Sequence, residues 1–100
     1  MAYQLQYFDE VGTDIREAKI WYREQKEGLE IAFANAIIKA IDKILRAPES
    51  YAIRYRNIRI AHPKVFPYNI HFYIDEPNSS IVITAIVHNK RQEVIARKRI

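Results

Sequence analysis

The sequence predicts an α+β domain: a strand, an antiparallel helical hairpin, then a three-stranded antiparallel meander, with the helices packed on one sheet face. Three observations carry this expectation. Apolar residues recur at i, i+3 and i+4 from Leu29 to Leu45, as on the buried stripe of a helix. Residues 66–74 and 81–88 carry the period-two or continuous apolar pattern of strands. The stretches between these runs are short enough to keep sequential elements adjacent in space.

One hundred residues fit a single domain, expected over 1–93 with a basic tail at 94–100. Hydrophobic residues make up 49% and charged residues 28%, which argues for a packed core and against disorder. Cysteine is absent, so disulfides and thiolate chemistry are excluded. No apolar run approaches the ~18 residues of a membrane span. The start, MAYQLQYFDE, has no charged-then-apolar leader, and a cytoplasmic protein is expected. The three histidines lack metal-ligand spacing, and the only glycines, Gly12 and Gly28, make no phosphate loop, so neither metal nor cofactor is expected. Charge is uneven: residues 1–50 hold seven Lys/Arg against nine Asp/Glu, and residues 51–100 hold nine against three. A basic second half suits an acidic partner or a nucleic acid backbone.

In order along the chain, residues 3–8 alternate as a short strand docked beside the later sheet. Asp9 and Glu10 suit a positive helix start. Val11, Ile15, Ala18 and Tyr22 share a helix face over 11–26, and Trp21 beside them is read with the core. Gly28 is read as the stop of this helix and a one-residue joint to the next. Pro48 ends the second helix. Strands follow at 53–61, 66–74 and 81–88. Both alternate sets of the last strand are apolar, which marks a central strand or one whose outer face something else covers, a partner chain being one candidate. The tail from Gln92 admits a short helix, an edge strand or disorder.

The sheet face away from the helices is expected to be open, displaying Arg59, Asn69, His71 and Tyr73, with His88, Asn89, Lys90 and Arg91 near the last strand's exit. Arg59 can grip phosphate or carboxylate bidentately, or be a solvated arginine. His88 can serve as acid or base beside cations, or tie down a strand end. His71 and Tyr73 are neighbours on one face and could protonate a leaving group or stack on a base. His62, in a loop beside Lys64, is a weaker candidate.

The ordered set Asp14-Ile15, Glu17-Ala18, Trp21-Tyr22, Glu24-Gln25, Gly28-Leu29, Phe33, Pro48-Glu49, Tyr51, Ile58-Arg59, Ala61, Lys64, Phe66-Pro67-Tyr68, Ile70, Ala85-Ile86-Val87-His88 and Arg91 resembles the RelE/ParE toxin superfamily, over about residues 3–93. It is most similar to the ParE-like branch, often labelled plasmid stabilisation proteins. The resemblance implies the toxin of a type II toxin–antitoxin module, neutralised by a small antitoxin with an acidic segment. The helical-hairpin groove and a sheet edge are the expected docking surfaces, and a homodimer or toxin–antitoxin hetero-oligomer is the expected assembly. ParE-like members inhibit DNA gyrase without a hydrolytic site, and that branch makes the chain a non-enzymatic toxin. RelE-like members instead cut ribosome-bound messenger RNA, activating the ribose 2′-hydroxyl; in that alternative Arg59, Lys64, His88, Arg91 and Tyr73 are the candidate catalytic residues. Arg59, Lys64, His71, Tyr73, Asn89, Lys90 and Arg91 are the candidate binding residues. Val65 stands where many relatives carry arginine, which thins the cationic cluster. A degenerate, non-toxic interaction module is the third reading.

Overall fold

A computed structural model of the chain describes residues 2–89 and 92–100. Strand β1 (Gln4–Tyr7) leads into α1 (Asp9–Gln25), α2 (Leu29–Arg46), β2 (Ile53–Tyr55), β3 (Ile58–Ala61), β4 (Tyr68–Asp75), β5 (Ser80–His88) and α3 (Glu93–Lys98). The five strands form one sheet in the order β1-β5-β4-β3-β2. β1 runs parallel to β5 and the remaining pairs are antiparallel. This is the predicted layout of a helical hairpin on a meander, with two refinements. The expected strand 53–61 is a hairpin that turns at Arg56-Asn57, where Arg56 takes a φ of 48°. The third run starts at Tyr68, because Pro67 has no N–H to offer a ladder.

The helices form for the reasons their sequences suggest. α1 places Val11, Ala18 and Tyr22 inward, with Asp9 and Glu10 at its positive end. The joint is longer than one residue: α1 closes on Lys26, and Gly28, at φ 92°, precedes α2 rather than ending α1. α2 buries Phe33, Ile37, Ala40 and Ile44, and ends two residues before Pro48. Against them lie Ile70 and Phe72 of β4 and Ile81, Ile83 and Ile86 of β5. Each such side chain contributes about 1.5–3 kcal/mol by leaving water.

β5 is apolar on both faces for two reasons. It is a central strand, and it carries a bulge: Ala85 pairs with His71 and Ile83 with Phe72, so Thr84 has no partner. The extra residue shifts the alternation by one. Ile81, Ile83 and Ile86 therefore all face the hairpin, while Ala85 and Val87 pack with Ala96 of α3 on the other side. The cover over the far face is thus the chain's own tail, which adopts the helical option among those expected for it. That face is not the open cationic surface anticipated from alternation.

Removing Thr84 should straighten β5 without moving any isoleucine to the wrong face, so the deletion variant is expected to melt cooperatively. Removing Val82, which pairs with Tyr73, displaces Ile81 from the core and should abolish the transition. Calorimetry of the two deletions checks this; equal damage by both would contradict the bulge assignment.

Candidate functional site at the end of the central strand

β1 is only four residues long, whereas β5 has nine. Beyond Tyr7 the chain turns into α1, so the second half of β5 has no strand along that edge. Its backbone groups must find other partners, since buried unpaired amides and carbonyls are costly. Three side chains supply them. The Asp14 carboxylate accepts from the Ile86 N–H at 3.0 Å, the Gln92 side-chain oxygen accepts from the His88 N–H at 2.8 Å, and the Arg99 guanidinium donates to the Thr84 carbonyl at 3.1 Å. Arg99 also meets Asp14 bidentately at 2.6 and 2.8 Å, with little of either side chain exposed. One carboxylate thus joins α1, β5 and the end of the tail.

This edge forms one wall of a cleft of about 390 Å³, lined by Asp14, Glu17, Ala18, Trp21, Tyr68 and Gln92. Trp21 is not a core residue, as its spacing suggested: it is 45% exposed, while its neighbour Tyr22 is buried and meets it edge-on at 5.0 Å between ring centroids. The helical period placed both near the inner face, but only one of two adjacent residues fits it. His88 pairs with Tyr68 across the ladder and sits edge-on to its ring at 5.7 Å. Tyr68 belongs to the hairpin-side core, so His88 lies on that side, beside the cleft. On the other side, Asn69 and Asn89 each keep a buried side-chain oxygen without a hydrogen-bond partner. Two acceptors in want of donors at one strand end are unusual in a finished core. Lys90 and Arg91, which follow immediately, lie outside the described residues.

The other candidates are dispersed. Arg59 pairs with Phe72 and so faces the hairpin side, not the far face; it donates to the carbonyls of Tyr51 at 2.7 Å and Glu49 at 3.4 Å, fastening the crossover after α2. The alternation misled because Ile58 and Ile60, which flank it, are buried on the far face. Lys64 is exposed in the loop before β4, near α2. Its neighbour Val65 is 94% exposed at a φ of 77°. Tyr73 pairs with Val82, five positions along β4 from Tyr68 and well away from His88. His71 does share the far face with Tyr73, but it is fully buried. Its Nδ1 lies 2.8 Å from the Tyr55 hydroxyl, and its Nε2 has no partner. The Arg97 guanidinium sits 4.3 Å from the centre of the Tyr55 ring and closes the stack. Burial lowers the His71 pKa to about 4, so the ring is neutral there and cannot act as the surface acid expected of it. Among the described residues no group of three His, Asp or Glu could hold a metal, and no helix is long and apolar enough to cross a membrane.

The arrangement defines the α+β fold of the RelE/ParE toxins, and comparison with solved structures bears this out. The chromosomal ParDE toxin–antitoxin system of P. aeruginosa matches with a TM-score of 0.74 at 13% identity, covering 87% of this chain and 96% of that one. A double mutant of the E. coli toxin RelE in the free state matches with a TM-score of 0.70 at 19% identity, covering 100% and 99%. The same mutant bound to a peptide of the antitoxin RelBc matches with a TM-score of 0.65 at 15% identity, covering 98% and 95%. No protein-family model and no curated protein matches the sequence. These likenesses divide between RelE and ParE and do not single out the ParE branch. RelE recurs in three structures, which overturns the leaning towards a non-enzymatic protein, since RelE-like members are the mRNA-cutting ones of the resemblance.

Asp14→Asn should leave Arg99 without its counter-charge, at a cost of about 3–5 kcal/mol. Urea unfolding checks this, and adding Arg99→Met should recover part of the loss. For His71 the folded pKa lies below the unfolded one, so the unfolded chain binds more protons between pH 6.5 and about 4. Stability should therefore fall as pH drops through that window, by up to about 3 kcal/mol. Melts of His71→Phe against the parent chain should show a flatter pH profile in the variant.

Proposed function

We propose that this chain is the toxin of a type II toxin–antitoxin module and cleaves ribosome-bound messenger RNA. The observation that carries the reading is His88 beside the strand-end cleft, in a fold shared with RelE over the whole chain. Histidine moves protons near neutral pH and is suited to acid–base work on a phosphodiester. In such a cleavage the ribose 2′-oxygen attacks the adjacent phosphorus as its proton is removed. The bond to the 5′-oxygen breaks, and the leaving oxygen takes up a proton. His88 is the group assigned to proton transfer, and Lys90 and Arg91 the charges that hold the phosphate. Trp21, exposed in the cleft wall, offers a face on which a base can stack.

The remaining candidates take other roles. Arg59 is occupied with backbone carbonyls, His71 is sealed, Lys64 lines a different cavity beside α2, and Tyr73 lies five positions along β4 from the residue that pairs with His88. The partner assigned to the chain is an antitoxin, in keeping with the RelBc peptide seen on RelE. The basic second half of the sequence suits an acidic segment of that partner.

In a translating extract the protein should cut messenger RNA at ribosomes. His88→Ala should slow cleavage by about 10²–10⁴-fold with an unchanged melt. Arg59→Ala should instead lose about 1–2 kcal/mol of stability and keep cleavage per folded molecule. Intact transcripts with the parent protein, or full activity in His88→Ala, would overturn the reading.

A further inference from the structure

Cleavage by the ribose 2′-oxygen needs two proton-transfer groups at once. Attack requires an acceptor for the hydroxyl proton, and departure of the 5′-oxygen requires a donor. One imidazole cannot do both in the same step. The cleft beside His88 supplies a second group. α1 turns Asp14, Glu17, Ala18 and Trp21 towards it, spaced i, i+3, i+4 and i+7 as one helix face. Two carboxylates stand on that wall, and one of them is consumed. Asp14 is held by the Arg99 guanidinium at 2.6 and 2.8 Å and by the Ile86 N–H at 3.0 Å. Glu17 is exposed and joins none of the ion pairs formed among the described residues. The other wall carries the two residues that touch His88. The Tyr68 ring meets it edge-on at 5.7 Å, and the Gln92 side-chain oxygen accepts its N–H at 2.8 Å.

We propose that Glu17 is a further catalytic residue of this cleft, the base that removes the 2′-hydroxyl proton while His88 protonates the leaving 5′-oxygen. The proposal rests on the cleavage reading and adds the division of roles. Carboxylates are ionised at neutral pH and imidazole can carry a proton there, which decides which group accepts and which donates. The step balances. Glu17 gains the 2′-proton, the bond from the 2′-oxygen to phosphorus forms as the bond to the 5′-oxygen breaks, and the His88 proton passes to the departing oxygen. The products are a 2′,3′-cyclic phosphate and a 5′-hydroxyl end, and water carries the proton from Glu17 back to His88. Displacement at phosphorus runs roughly in line, so the two groups must approach from different sides. The helix wall presents one and the sheet wall the other. Trp21 stands one turn beyond Glu17, about 5–6 Å along the helix. A base stacked on its ring therefore sets the attached ribose beside the carboxylate.

The test uses the full chain and ribosomes programmed with a short messenger RNA. A second message has sulfur in place of the 5′-oxygen at the cleaved bond. A thiolate leaves without a proton, so that message needs the base but not the acid. E17Q should melt like the parent, leave KM little changed and slow kcat about 10²–10⁴-fold on both messages. H88A should be slow on the oxygen message and recover most of its rate on the sulfur one. The parent's rate should rise and then fall with pH, and E17Q should lose the rise and keep the fall. If E17Q disturbs the melt, E17D replaces it and should retain the rise with a smaller loss of rate. Full rate in E17Q, its rescue by the sulfur message, or an unaltered rise with pH would overturn the proposal, and a slow H88A would then leave the cleavage reading standing. Intact messages with the parent protein would overturn both.

Discussion

The Asp14 carboxylate is the point on which the arrangement turns. It accepts an N–H from the central strand and a guanidinium from the last turn of the chain, at a place where the sheet has run out of strands. A short β1 creates the need, because it leaves half of β5 without a neighbour along one edge. The helix that follows β1 answers it with Asp14, and the tail answers it with Gln92 and Arg99. Satisfying those groups with side chains, where another strand would have filled the space, is what leaves room for the cleft beside His88.

The same strand explains why the tail folds back. Ala85 and Val87 would be an apolar strip in water were they not covered by Ala96. The cover brings Arg97 over Tyr55 and seals His71 beneath. A tail rich in arginine and lysine thus acts partly as structure: Arg99 is consumed by an internal ion pair and Arg97 by a ring face. Net positive charge in the second half of the sequence overstates what the domain offers to a ligand.

Local patterns revealed the parts of the fold whose physics is local. The α2 stripe, the stop at Pro48, the meander and the central position of β5 could all be read from spacing and turn chemistry. The bulge could not, because a strand with apolar residues on both sides has no polar face whose alternation would expose a shift. Alternation misplaces Arg59 for a related reason: it points the flanking isoleucines at the helices, yet Ile58 and Ile60 are buried on the opposite side. Helical spacing groups Trp21 with the core beside Tyr22, although a helix turns far enough in one residue to put the two in different surroundings. Of the site, His88 and Asn89 were legible as residues at a strand exit. Asp14 and Gln92 were not, because their significance depends on contacts with the far end of β5 that no short motif encodes.

The most direct measurement is amide hydrogen exchange at Ile86 and His88 under native conditions. Both amides should exchange only with global unfolding, as slowly as that of Ile70 in the middle of the sheet, and Asp14→Asn should release Ile86 selectively. Fast exchange at Ile86 and His88 in the parent protein, at the rate of an exposed loop, would contradict this, for the end of β5 would then be an open edge and the cleft beside it would have no fixed wall.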